Sequence, residues 1–122
     1  MSKKVLVVDD EEHILKAVKV VLEGEGHEVI VAENGAMALL KIKEYAPALV
    51  LLDMMMPGLS GIETLKCIKA LFKDIPVVMV TAVRDEKEAK EAIGAGAYDY
   101  ITKPIDFNYL KMSVLSKMAF VK

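Results

Sequence analysis

The sequence predicts an α/β fold: a five-stranded parallel sheet with helices on both faces. Three observations predict it. First, short unbroken apolar runs recur, at residues 5–8, 29–31, 48–52 and 77–80. Runs of this length bounded by turn signals suit strands buried on both faces. Second, the stretches between them place apolar residues at helical spacing. Third, strand and helix alternate along the whole chain, and strands separated by helices need crossover connections, which make a sheet parallel.

Each element has its own signal. Residues 5–8 (Val-Leu-Val-Val) form a β-branched strand, followed at once by Asp9, Asp10, Glu11 and Glu12. Acids suit the positive end of a helix. Ile14, Leu15, Val18, Val21 and Leu22 supply that helix with an apolar stripe, and Gly24 and Gly26 stop it. Residues 27–32 are the second strand. Asn34-Gly35 starts a helix, because Met37, Ala38, Leu39, Leu40 and Ile42 continue the helical period up to the break at Pro47. The third strand, residues 48–52, ends on Asp53. Ser60 is a fitting N-cap for a third helix carrying Ile62, Leu65, Ile68 and Leu71. Residues 74–76 (Asp-Ile-Pro) break that helix. The fourth strand, residues 77–80, ends at Thr81. A charged helix spans residues 85–93, a weak strand residues 98–101, and Asp106 caps a last helix reaching Met118.

The 122 residues predict one domain over 1–122 with no effector domain. A formal net charge of -2 leaves no electrostatic footprint for nucleic acid or an anionic membrane. The single cysteine, Cys67, permits no internal disulfide and points to the cytoplasm. No apolar run approaches the ~18 residues that a membrane span requires.

In a parallel sheet, the residues just after each strand share one edge. That edge collects Asp9 and Asp10, Asp53, Thr81, and Lys103. A strand order 2-1-3-4-5 would seat Asp9, Asp10 and Asp53 at the switch point between the first and third strands. Three carboxylates in one cleft repel one another unless a cation joins them. An oxygen-rich site of this kind suits Mg²⁺ (or Mn²⁺). A hydroxyl on Thr81 and an ammonium on Lys103 complete a set able to hold a phosphoryl group, and a carboxylate can itself accept one.

These residues resemble the response-regulator receiver family of two-component signalling. The resemblance rests on Val7-Val8-Asp9-Asp10, on Leu51-Leu52-Asp53-Met54-Met55-Met56-Pro57-Gly58-Leu59-Ser60-Gly61, on Val80-Thr81-Ala82 and on Lys103-Pro104, and it covers the whole chain. It implies a flavodoxin-like (βα)5 three-layer fold with strand order 2-1-3-4-5. It implies that Asp53 accepts a phosphoryl group from a sensor histidine kinase or histidine phosphotransfer protein, and that a conformational switch then signals to a downstream protein. Asp10, Asp53 and the Met55 carbonyl would hold Mg²⁺, with Asp9 acting through water. Thr81 and Lys103 would contact the phosphoryl group. Thr81 and Tyr100 would carry the switch, and the Lys103–Pro104 peptide would be cis.

A docking patch for the kinase is expected at Ile14, Leu15 and Val18, flanked by Pro104, Ile105 and Phe107. The rival reading of the first three is core packing. The eight methionines read as adaptable packing. Two other functions compete. A haloacid-dehalogenase-like phosphohydrolase would need a second Asp two residues after Asp53, where Met55 stands. A flavodoxin-like cofactor binder would need a hydroxyl- and glycine-rich phosphate loop where Asp9, Asp10, Glu11 and Glu12 stand. Met55 and Val83, the side chains expected beside the phosphoryl group, cannot orient a water. This predicts a phosphoryl acceptor rather than an enzyme, with slow self-dephosphorylation that the lifetime of the phosphoprotein would report.

Overall fold

A computed structural model describes residues 3–82 and 86–118. Five strands, β1 (Lys4–Val8), β2 (Glu28–Ala32), β3 (Leu49–Leu52), β4 (Val77–Thr81) and β5 (Asp99–Thr102), alternate with five helices, α1 (Glu12–Gly24), α2 (Gly35–Tyr45), α3 (Gly61–Leu71), α4 (Glu86–Gly94) and α5 (Phe107–Met118). The strands form one sheet in the order β2-β1-β3-β4-β5, with every pairing parallel.

Alternation along the strands builds two cores. Leu6, Val8, Val50, Leu52, Val77 and Met79 face α2, α3 and α4 through Ala38, Ile42, Leu65, Ile68 and Ala92. Val5, Val7, Leu49, Leu51, Val78 and Val80 face α1 and α5 through Leu15, Val18, Leu22, Leu110 and Val114. Every residue of β3 is buried, as a central strand covered on both faces requires. Burying a side chain such as Leu52 contributes about 1.5–3 kcal/mol, and truncating it to Ala costs about 2–5 kcal/mol.

The helix starts follow local chemistry. The Asn34 side chain accepts from the Met37 N–H at 2.8 Å. Ser60 and Glu63 form a reciprocal capping box at the start of α3. Asp106 accepts from the N–H groups of Asn108 and Tyr109. Ala46, at φ 47°, turns the chain out of α2 just before Pro47. Asp85, expected to open the charged helix, lies outside the described residues, as does Val83.

Helix α1 begins at Glu12, so Asp9 and Asp10 stand in the loop after β1, at the strand-end positions expected of them. Three expectations change. Leu15 and Val18 are core residues, 6% and 2% exposed, packed under the sheet with Leu110 and Val114. Burial removes both from the expected docking patch. Leu71 leaves the stripe of α3 and is exposed. Met54 and Met56 are buried, but Met37, Met55 and Met112 are exposed, so packing does not account for those three. Among the described residues, no helix is long and apolar enough to cross a membrane.

Candidate functional site

The site is set by register. Val8 of β1 stands opposite Leu52 of β3. One residue further, the Asp53 N–H donates to the Val8 carbonyl at 2.9 Å, and the Asp9 N–H donates to the Ala32 carbonyl at 3.1 Å. Asp9 and Asp53 therefore emerge side by side at the C-terminal edge, 2% and 3% exposed. Asp10, the next residue, is exposed. Each of the three offers a carboxylate oxygen within 4.8 Å of the other two. Three hard oxygen donors at that spacing fit Mg²⁺.

Lys103 enters from β5. Its N–H donates to the Thr81 carbonyl at 2.8 Å, which ties the loop after β5 to the end of β4. The Lys103–Pro104 peptide is cis. The Nζ atom lies 2.7 Å from Asp9 Oδ2, 3.6 Å from Asp53 Oδ2 and 3.6 Å from Glu11 Oε1. The start of α3 lies close against the end of β3, where Gly61 donates its N–H to the Met54 carbonyl at 2.9 Å. A Cβ at Gly61 would overlap the backbone of Asp53 and Met54.

Burial pushes the Asp53 carboxyl up to about 6, and the Asp9 charge adds to it. Lys103 and the Met55 N–H oppose this, and Asp10 raises it a little further. Burial pulls the Lys103 ammonium down, but the carboxylates of Asp9, Asp53 and Glu11 outweigh burial and leave it above its usual value. A buried carboxylate among like charges, next to a held cation, is a pattern found at functional sites.

A family model described as the response regulator receiver domain matches residues 5–115. The chain belongs to the response-regulator receiver family. The transcriptional regulatory protein ZraR of Klebsiella oxytoca is 40% identical over 118 residues, which are 97% of this chain and 27% of that protein. A CheY-like receiver domain protein from Methanospirillum hungatei superposes with a TM-score of 0.93 at 32% identity, covering 98% of this chain and 95% of that one. A BeF3-activated DrrB receiver domain superposes at 0.90 with 33% identity, covering 98% and 99%. The chain spans about a quarter to a half of the length of the curated relatives it matches.

In this receiver, Asp9, Asp10, Asp53 and Lys103 come together as their strand-end positions suggest. Thr81 is fully buried at the end of β4. Tyr100 of β5 is half-buried and packs against the core beneath α2, α3 and α4. The Met55 N–H reaches Asp53 Oδ1 at 3.4 Å, while its residue is 64% exposed. Of the expected docking residues, Ile14, Ile105 and Phe107 are half-buried and Pro104 is exposed. An open groove of about 510 Å³, lined by Asp10, Glu33, Asn34 and Pro57 to Leu59, runs beside the acidic cluster. Sequence reasoning missed Glu11. Its signal was an acid two residues after Asp9, hidden among four acids that all suited a helix start.

Proposed function

We propose that this receiver accepts a phosphoryl group on Asp53 from a sensor histidine kinase or histidine phosphotransfer protein, in a Mg²⁺-dependent reaction, and signals to a downstream protein. One observation carries the reading. Asp53 is a buried carboxylate with Asp9 and Asp10 within 4.8 Å and the Lys103 ammonium at 3.6 Å. In the transfer, an Asp53 oxygen forms the new bond to phosphorus while the P–N bond of the donor phosphohistidine breaks. The bonding pair stays on the imidazole nitrogen.

Asp10, Asp53 and the Met55 carbonyl would hold the metal, with Asp9 acting through water. When bound, Mg²⁺ supplies charge neutralisation at the phosphoryl oxygens. Lys103 pairs with a phosphoryl oxygen, and the Thr81 hydroxyl bonds another and draws its loop inward. Tyr100 then turns further into the core, altering the surface of α4, β5 and α5. Ile14, Pro104, Ile105 and Phe107 offer the kinase a smaller patch than the sequence suggests. The role is that of a cytoplasmic phosphoryl acceptor, not a turnover enzyme, and the receiver itself needs no contact with nucleic acid.

The test uses acetyl phosphate and Mg²⁺ with intact-mass detection. The wild type gains one phosphoryl group, and Asp53→Asn gains none. A folded wild type that gains none, or a variant that gains the same, overturns the reading.

A further inference from the structure

The residue that opens α1 carries a carboxylate that its own helix does not use. Glu11 occupies the N-cap position, yet its side chain makes no capping hydrogen bond. A shorter acid there would accept from the first turn. Its two oxygens are divided instead, with Oε1 3.6 Å from Lys103 Nζ and Oε2 3.3 Å from His13 Nε2. Its backbone N–H donates to Asp9 Oδ1 at 2.9 Å. One residue therefore touches both Asp9 and Lys103.

Lys103 is shared by three carboxylates, those of Asp9, Glu11 and Asp53. Asp9 and Asp53 belong to the cluster that fits a divalent cation, and Glu11 stands outside it. A cation in that cluster competes with Lys103 for Asp9 and Asp53 but leaves Glu11 to it. We propose that Glu11 is a positioning residue of the phosphoryl site: it holds Lys103 on the α1 side of the cleft and competes with phosphoryl oxygens for its ammonium. The inference rests on the phosphoacceptor reading. Under it, Glu11 sets how tightly the phosphoryl-bearing state is held, although it touches neither metal nor phosphoryl group.

The side chain of Glu11 is 46% exposed. Its hold on Lys103 is therefore of the size measured for partly solvated ion pairs, and removing it changes an affinity by about two- to fivefold. The test titrates beryllium fluoride with Mg²⁺ present, as a stand-in for the phosphoryl group, and follows backbone amide shifts by NMR. Glu11→Gln keeps the N–H bond to Asp9 and removes the charge. Glu12→Gln is the control, since Glu12 lies in the same first turn but pairs with Lys16 at 3.2 Å. The expected result is tighter beryllofluoride binding in Glu11→Gln by about two- to fivefold, with no change in Glu12→Gln and unchanged affinity for Mg²⁺ alone. Equal or weaker binding in Glu11→Gln overturns the proposal. So does an equal gain in both variants, which would mark a general field effect. A wild type that binds no beryllofluoride would instead count against the phosphoacceptor reading itself.

Discussion

Two regions of this receiver pair lysines with acids, and they do so under opposite conditions. On α1 and α4, Lys16 meets Glu12 at 3.2 Å and Lys90 meets Glu86 at 3.4 Å, with every partner at least 75% exposed. At the strand edge, Lys103 meets Asp9 at 2.7 Å, and both side chains are at most 10% exposed. The chemistry of the groups is the same. Water screens the helical pairs, so each is worth little. At the site, water is largely excluded, and each charge depends on its neighbours. The difference shows that acid content does not make a site. Burial turns a set of charges into one coupled unit, and that unit is poised to receive another charge.

The largest difference between the two regions is expected at Lys103. Lys103→Gln leaves Asp9 and Asp53 buried without their cation. It should cost about 1–3 kcal/mol at neutral pH without metal, seen as a lower urea midpoint. An unchanged midpoint would mean that the buried pair is as weak as the helical ones. A smaller effect concerns pH. The folded carboxyl of Asp53 sits at about 6, above its ordinary 3.8. Below 3.8 it is protonated whether folded or unfolded. Between 3.8 and about 6 the folded state binds the extra proton, so stability is lost as pH rises through this window. Asp53→Asn removes that loss. Without metal, the variant should melt roughly 5 °C above the wild type at pH 7.5 and match it more closely at pH 4. Mg²⁺ should raise the wild-type melting temperature more than that of the variant, because it supplies the missing countercharge. An identical pH profile in calorimetry would contradict the assignment. The smallest effect belongs to the helices. Lys90→Gln should move the melting temperature by no more than about 1–2 °C, and any larger shift would show that the pair on α4 is not screened by water.

Much of this was legible one residue at a time. Asn34, Ser60 and Asp106 cap helices where their short polar side chains predict it, because capping depends on neighbours three residues away. The unbroken apolar strands announced a sheet covered on both faces. What the periodicity of α1 concealed was how deep each position lies. Ile14, Leu15 and Val18 read alike along the chain, but Leu15 and Val18 are buried in the core with α5 while Ile14 is only partly buried against it. Three successive methionines read alike too, and the loop after β3 buries the first and third and exposes the second. Glu11 was indistinguishable from its acidic neighbours until the loop after β5 brought Lys103 to it.

By itself, the sequence determined the element types, the alternation that makes the sheet parallel, and the identity of the residues at each strand end. These follow from local spacing and from propensities that act over a few residues. Only the tertiary structure decided which of those residues meet. Asp53 and Asp9 are 44 positions apart in the chain, and their carboxylates come within 4.8 Å because β3 pairs directly with β1 at Val8 and Leu52. Lys103 reaches both because β4 and β5 extend the same sheet. Strand order is a choice among crossovers that local patterning leaves open, and the desolvation that lifts Asp53 arises only when the whole edge is assembled.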